Sequence, residues 1–225
     1  LPYGTTACEW DSIIDMGRLW QEYERVIKDN GAIVLTANAV FTFQLWESNK
    51  KLFRYKWVWE KSMHFGFLNA HKRPMTSHED VLIFYKNLPI YNPQKRTGFK
   101  SVIKQQSKST SLQKRETVNA FGRADYSYSN TDGNRMPIDV LYFDVERGLH
   151  PTQKPVALFE YLIKTYTNEG DLVLDNCSGS GTTAIACINT NRRYICMERD
   201  EGYYQKSLER VANHEPLLQL LNQKS

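Results

Sequence analysis

Short apolar runs bounded by polar turns alternate with longer amphipathic stretches along much of this chain. Ile13, Ile14, Leu19, Trp20, Tyr23 and Ile27 recur at helical spacing, which predicts a helix from about Ser12 to Lys28. Asp29-Asn30-Gly31 should end it, a glycine being suited to the left-handed conformation after a helix. Ala32 to Thr36 reads as a buried strand, Val40 to Asn49 as a helix, and Tyr55 to Glu60 and Asp80 to Tyr85 as strands. The piece from Phe65 to His78 holds Gly66 and Pro74 and is predicted to be a loop.

The pattern then changes. Residues 87 to 147 are rich in Ser, Thr, Asn, Gln and Lys and poor in periodic apolar runs, which predicts an irregular insertion. A helix pattern returns from Pro155 to Tyr166, with proline at a tolerated first-turn position. Asp171 to Asp175 follows as a strand, Ser180 to Asn189 as a helix, Arg193 to Glu198 as a strand and Glu201 to Asn213 as a helix. Strands alternating with helices predict an α/β fold, with a Rossmann-like, mostly parallel sheet covered by helices on both faces. The expected division is residues 1–89, an inserted segment 90–147, and residues 148–225.

Composition narrows the classes without choosing one. A chain of 225 residues can bury a core without metal or disulfide staples. No run approaches the roughly 18 to 20 apolar residues of a membrane span. Cys8, Cys177, Cys187 and Cys196 form no CxxC pair and read as reduced thiols of a cytoplasmic protein. His64, His71, His78 and His150 stand in no zinc-type arrangement, so no metal is expected. The net charge of +4 is modest but uneven. Between Lys86 and Arg123 stand Lys95, Arg96, Lys100, Lys104, Lys108, Lys114, Arg115 and Arg123, with Glu116 as the one acid. Such a run is either a solvated loop or a phosphate-facing surface.

The strongest local signal is Leu172-Val173-Leu174-Asp175-Asn176-Cys177-Ser178-Gly179-Ser180-Gly181-Thr182-Thr183. A buried strand enters a small-residue turn that opens a helix. Glycines let the backbone approach a ligand, and the helix start offers unpaired N–H groups. The next strand, Arg193 to Glu198, ends in an acid where a carboxylate could hold a ribose diol. There is no GKS or GKT, and the glycines are not spaced GxGxxG, which disfavours a P-loop or an NAD site.

Asp175 to Thr183 resembles motif I (Asp-Pro-Phe-x-Gly-Ser-Gly-Thr-Thr) of the amino-directed DNA methyltransferases. His150-Pro151-Thr152-Gln153-Lys154-Pro155 matches their motif X letter for letter. Asn176 and Cys177 depart from the usual Pro and Phe. The resemblance implies the methyltransferase fold and S-adenosylmethionine as cofactor. It implies that His150, Pro151, Thr152 and Lys154 hold the methionine part together with Asp175, Cys177, Ser178, Gly179, Ser180, Gly181 and Thr182. Glu198 would take the ribose hydroxyls and Met197 would lie against the adenine. Lys154 could equally be a surface cation.

Leu1-Pro2-Tyr3-Gly4 resembles motif IV, written Asp/Asn/Ser-Pro-Pro-Tyr in that family, with Leu1 in the first Pro position. The first motif residue would lie immediately before Leu1, which points to a chain truncated at its front. An exocyclic amine is a poor nucleophile, because its lone pair is delocalised into the ring. The resemblance implies that a side-chain oxygen and the Leu1 carbonyl accept its two N–H bonds, while Tyr3 stacks on the flipped base. Motif IV ahead of motifs X and I is the circularly permuted order of the β group. Residues 60 to 86, with His71, Lys72, Arg73 and His78-Glu79-Asp80, resemble that group's middle region.

The inserted segment is then the expected target-recognition element, its Lys and Arg contacting phosphates of double-stranded DNA. N6-adenine methylation is the leading expectation. N4-cytosine methylation, an inactive DNA-binding relative and an RNA substrate are the alternatives. A homodimer and a cognate restriction endonuclease are the further partners such a protein would have, in a bacterial or phage-encoded setting.

Overall fold

The computed structural model of the protein describes residues 1–5, 8, 11–100 and 132–222. Helix α1 (Met16–Val26) begins where the Asp15 side chain accepts the Arg18 N–H at 3.1 Å, and it buries Leu19 and Trp20. It ends at Ile27, which is already extended. Gly31 is not left-handed, contrary to the expected helix stop. Its missing side chain serves close approach instead: a Cβ there would meet Ile27 Cδ1 at 2.7 Å.

The chain continues through β1 (Ile33–Ala37), α2 (Ala39–Ser48), β2 (Phe53–Phe65), a 3₁₀ turn (Phe67–Asn69) and β3 (Thr76–Phe84). After the insertion come β4 (Val140–Phe143), α3 (Val156–Tyr166), β5 (Leu172–Asp175), α4 (Thr182–Asn189), β6 (Arg193–Cys196) and α5 (Glu201–Asn222). The region expected as a loop from Phe65 to His78 is shorter than predicted, because both flanking strands extend into it as a long hairpin.

Four strands form one sheet in the order β1-β3-β2-β4, and β5 and β6 form a parallel pair. In the larger sheet, β3 is antiparallel to both β1 and β2, with Leu35 opposite Leu82 and Trp57 opposite Val81. Among the described strands of this sheet, β4 alone runs parallel to its neighbour, β2. The α/β class is therefore as expected, but parallel pairing does not predominate among the described strands. The reason is physical: β3 is buried on both faces, and such a strand reads as one apolar run whatever the direction of its neighbours.

The alternation along β3 divides the core. Leu82 and Phe84 face a cluster with Trp20, Phe41 and Leu45 from α1 and α2. Val81 and Ile83 face the other side, with Trp57, Trp59, Leu158 and Leu162. Buried polar tips are satisfied: Trp57 donates to the Tyr166 hydroxyl at 2.7 Å and Trp59 to the Phe143 carbonyl at 2.9 Å.

The chain separates into two units, Leu1–Asn92 with Ile138–Ser225, and Pro93–Pro137. Strand β4 lies inside the expected 90–147 insertion but belongs to the main sheet. In the smaller unit Arg96 and Arg135 exchange backbone hydrogen bonds at 2.8 Å, and both guanidinium groups lie over Phe99, at 5.3 and 4.3 Å.

Candidate functional site

The turn between β5 and α4 is held from three directions. Asp175 accepts the Cys177 N–H at 3.0 Å with one oxygen and the Thr183 hydroxyl with the other. The Ser178 N–H and hydroxyl both donate to the Met197 carbonyl, at 3.0 and 3.1 Å. The Gly179 N–H donates to Glu198 Oε2 at 2.8 Å, and Glu198 Oε1 accepts the Asp200 N–H at 2.9 Å. The Glu198 carboxylate, two residues past β6, thus sits against the glycine turn. Ser178, Ser180, Thr182 and Thr183 are buried.

Gly181 caps α4 with φ of 81°, and a Cβ there would stand 3.0 Å from Ser207 Cβ on α5. Left-handed backbone costs a residue with a Cβ roughly 1–2 kcal/mol, and the contact adds to that. Gly181→Ala should therefore lower stability by about 1–3 kcal/mol, measured by urea unfolding. An unchanged midpoint would show that the turn is not constrained as described.

The His150–Pro155 loop lies on this turn. The His150 ring is the nearest side chain to Gly179, 3.5 Å from where a Cβ would be, and it packs on Tyr203 with centroids 4.2 Å apart. Burial lowers the His150 pKa, which suits Nδ1 accepting the Thr152 N–H at 3.2 Å. The Thr182 hydroxyl donates to the Lys154 carbonyl at 3.2 Å. Pro151 and Thr152 are exposed. Behind the loop, Glu146 accepts the Val156 N–H at the start of α3 (2.9 Å) and Gln153 Nε2 (3.2 Å), with Arg210 at 3.7 Å.

The Leu1–Tyr3 loop is shaped by Asp11. Its carboxylate accepts the N–H groups of Tyr3, Gly4 and Thr5 at 2.7, 2.9 and 2.9 Å. Leu1 and Tyr3 pack on the α1–α2 side of the core, and the Tyr3 ring stacks on Phe41 with centroids 5.1 Å apart. Its hydroxyl donates to Glu79 Oε2 at 3.1 Å. Burial, then the Glu79 charge, raises the Tyr3 pKa far above that of a free phenol, so the hydroxyl keeps its proton. Lys61 reaches Glu79 Oε1 at 2.5 Å and Lys154 reaches Oε2 at 3.1 Å. Burial alone would raise the Glu79 pKa, but Lys154 and Lys61 more than offset it and hold the carboxyl below its ordinary range.

The residues expected from the sequence thus fall in two groups. Leu1, Pro2 and Tyr3 stand in a loop tied to the buried Glu79, and His150 to Lys154 lie between it and the turn Asp175–Thr182. Lys154 is not a surface cation, its side chain being 14% exposed. Lys95, Arg96 and Lys100 belong to the smaller unit. Lys104, Lys108, Lys114, Arg115 and Arg123 lie outside the described residues. Asp11, Lys61, Glu146 and Arg210 were not singled out from sequence. Each is a charged residue in no recognisable local pattern, and the fold brings its partner to it. Glu79 was visible only as part of His78-Glu79-Asp80.

Burial pushes the Cys187 and Cys196 thiols up to about 12 and raises that of Cys177, leaving them protonated and poorly nucleophilic. Among the described residues no cluster of His, Cys, Asp and Glu could hold a metal ion, and no helix is long and apolar enough to cross a membrane.

Comparison with known proteins adds the lineage. The chain is 27% identical over 217 residues to the type II methyltransferase M.HpaI of Haemophilus parainfluenzae, covering 93% of this chain and 63% of that protein. It is 38% identical over 92 residues to the DNA adenine methyltransferase YhdJ of Escherichia coli, covering 40% of this chain and 31% of that one. The chain therefore spans under two thirds of these relatives. Among solved structures, the M1.HpyAVI–SAM complex superposes with a TM-score of 0.57 at 24% identity, covering 84% of this chain and 78% of that chain. The cytosine-N4-specific PvuII DNA methyltransferase does so with a TM-score of 0.57 at 16% identity, covering 90% and 73%. These two share the fold. The DNA methylase family matches residues 6–209, and the chain belongs to that family.

Proposed function

We propose that the protein is a site-specific DNA methyltransferase that moves a methyl group from S-adenosylmethionine to N6 of an adenine flipped out of duplex DNA. The observation that carries this reading is the meeting of three segments at Lys154. Its carbonyl takes the Thr182 hydroxyl at the start of α4, and its ammonium reaches Glu79 beside Tyr3. The glycine turn, the His150–Pro155 loop and the Leu1–Tyr3 loop are thereby neighbours, as a reaction between a cofactor and a base demands.

The donor set fits S-adenosylmethionine. A carboxylate has about four lone-pair sites, and Glu198 spends two of them, on Gly179 and Asp200. Two remain for a ribose diol. Met197, half exposed, offers an apolar side chain next to it for the adenine. His150 and Gly179 would face the methionine part. When bound, the cofactor supplies a methyl group made electrophilic by positive sulfur. The Leu1 carbonyl would accept an N–H of the target amine and the Tyr3 ring would meet the flipped base. Titration calorimetry of the full-length protein tests the pocket: micromolar binding of S-adenosylmethionine supports the reading, and no binding overturns it. Adenine is preferred over N4 of cytosine because YhdJ, a relative over 92 residues, is named an adenine enzyme.

The basic run from Lys95 to Arg123 supports contact with DNA phosphates. In the described part, Lys95 and Lys100 are exposed, and Arg96 and Arg135 converge on Phe99. Replacing both Lys95 and Lys100 by Ala should reduce the slope of log K against log salt by about 2, roughly 0.9 per phosphate contact. Fluorescence anisotropy with duplex DNA measures this, and an unchanged slope would remove these lysines from the DNA surface. The reading includes two more partners, a second copy of this chain and a restriction endonuclease of the same specificity. The type II name of the M.HpaI relative supports the latter, and the source organisms of both relatives support a bacterial setting.

A further inference from the structure

Glu79 has no part in the chemistry proposed above, yet its carboxylate is 7% exposed and joins three segments that are distant in sequence. Lys61 comes from β2, Tyr3 from the first loop and Lys154 from the His150–Pro155 loop. Buried ion clusters are costly to desolvate, and apolar replacements often serve folding as well. Stability is thus a weak reason for one at this place. Its geometry does something more specific. The Lys154 ammonium lies 5.2 Å from the Tyr3 ring centroid, and Phe41 stacks on that ring at 5.1 Å. The same ammonium donates to the Thr152 carbonyl at 3.2 Å, so its contacts point to Glu79, Tyr3 and its own loop. Toward α4, Lys154 presents its main-chain carbonyl.

We propose that Glu79 is a positioning residue that holds the Tyr3 ring and the Lys154 ammonium against each other, so that the base-side loop and the cofactor-side loop are set as one unit. Lys154 then acts through Tyr3 and Glu79 and is not a ligand of the cofactor. This rests on the methyltransferase reading.

The test separates binding from turnover in the full-length protein. S-Adenosylmethionine affinity is measured by calorimetry and methyl transfer to unmethylated duplex DNA by tritium incorporation. Lys154→Gln should lower kcat about 10-fold while the cofactor Kd stays within about 2-fold, the pattern of a lost transition-state interaction. Lys154→Arg should recover most of the rate. Tyr3→Phe keeps the ring and removes the bond to Glu79. Added to Lys154→Gln it should cost less than about 2-fold more, because both act through one carboxylate. If Lys154→Gln weakens the cofactor Kd 10-fold or more at unchanged kcat, Lys154 is a cofactor ligand and the proposal falls. Multiplicative effects of the two substitutions also overturn it. Should the unaltered protein transfer no methyl group to DNA, the functional reading itself has failed, which these variants would not produce.

Discussion

Glu198→Ala is expected to weaken S-adenosylmethionine binding by about 100-fold. Each hydrogen bond to a charged group contributes about 1.5 kcal/mol or more, and two ribose hydroxyls would lose their acceptor together. The same substitution strips an acceptor from the N–H groups of Gly179 and Asp200, which loosens the turn and adds to the loss. Calorimetry on the full-length protein gives the value directly. An affinity within a factor of about 3 of the original would show that the ribose lies elsewhere.

The second large effect concerns stability and its dependence on pH. Glu79→Gln leaves Lys61 and Lys154 facing a neutral amide in a buried site, and breaking such a cluster costs about 3 kcal/mol. The Glu79 carboxyl is held below the ordinary value of 4.5 because Lys154 and Lys61 outweigh the effect of burial. Its folded-state pKa is thus depressed relative to the unfolded chain. Its stabilising contribution is therefore complete above the unfolded value and is lost as pH falls through the folded one. Urea unfolding of the two proteins should differ by a constant amount from pH 7 to about 5, and the gap should close at lower pH. Parallel curves down to pH 3 would mean that folding leaves the Glu79 pKa unshifted, so that Lys154 and Lys61 do not hold it down.

Much of the fold was legible because its signals are local. The glycine turn after β5 could be located from Leu172 to Thr183, since a strand, a left-handed cap at Gly181 and a helix each leave a mark on neighbouring residues. The apolar stripe of α1 and the runs of β1 and β3 were visible for the same reason. What escaped was set by distant partners. The antiparallel pairing of β3 with β1 and β2 leaves no trace in a strand whose two faces are both buried. Strand β4, Val-Leu-Tyr-Phe, is short and lies in a polar segment, and it becomes a strand by pairing with β2.

The site followed the same rule. His150 to Pro155 and Asp175 to Thr183 carry their pattern with them. Asp11 does not, because its three N–H partners at Tyr3, Gly4 and Thr5 follow from loop geometry. Nor did the sequence tell that the Lys154 side chain and main chain face different neighbours. That division, with the Lys154 carbonyl toward Thr182 and the ammonium toward Glu79, underlies the proposed coupling through Glu79.

Methylation of an amino group of DNA by this chain is the proposed activity. The measurement that tests it most directly is transfer of tritiated methyl groups from S-adenosylmethionine to unmethylated genomic DNA by the full-length protein, followed by digestion to nucleosides. The expected result is label in N6-methyladenine. Label in N4-methylcytosine would contradict the choice of base, and DNA without label would contradict the assignment as a DNA methyltransferase.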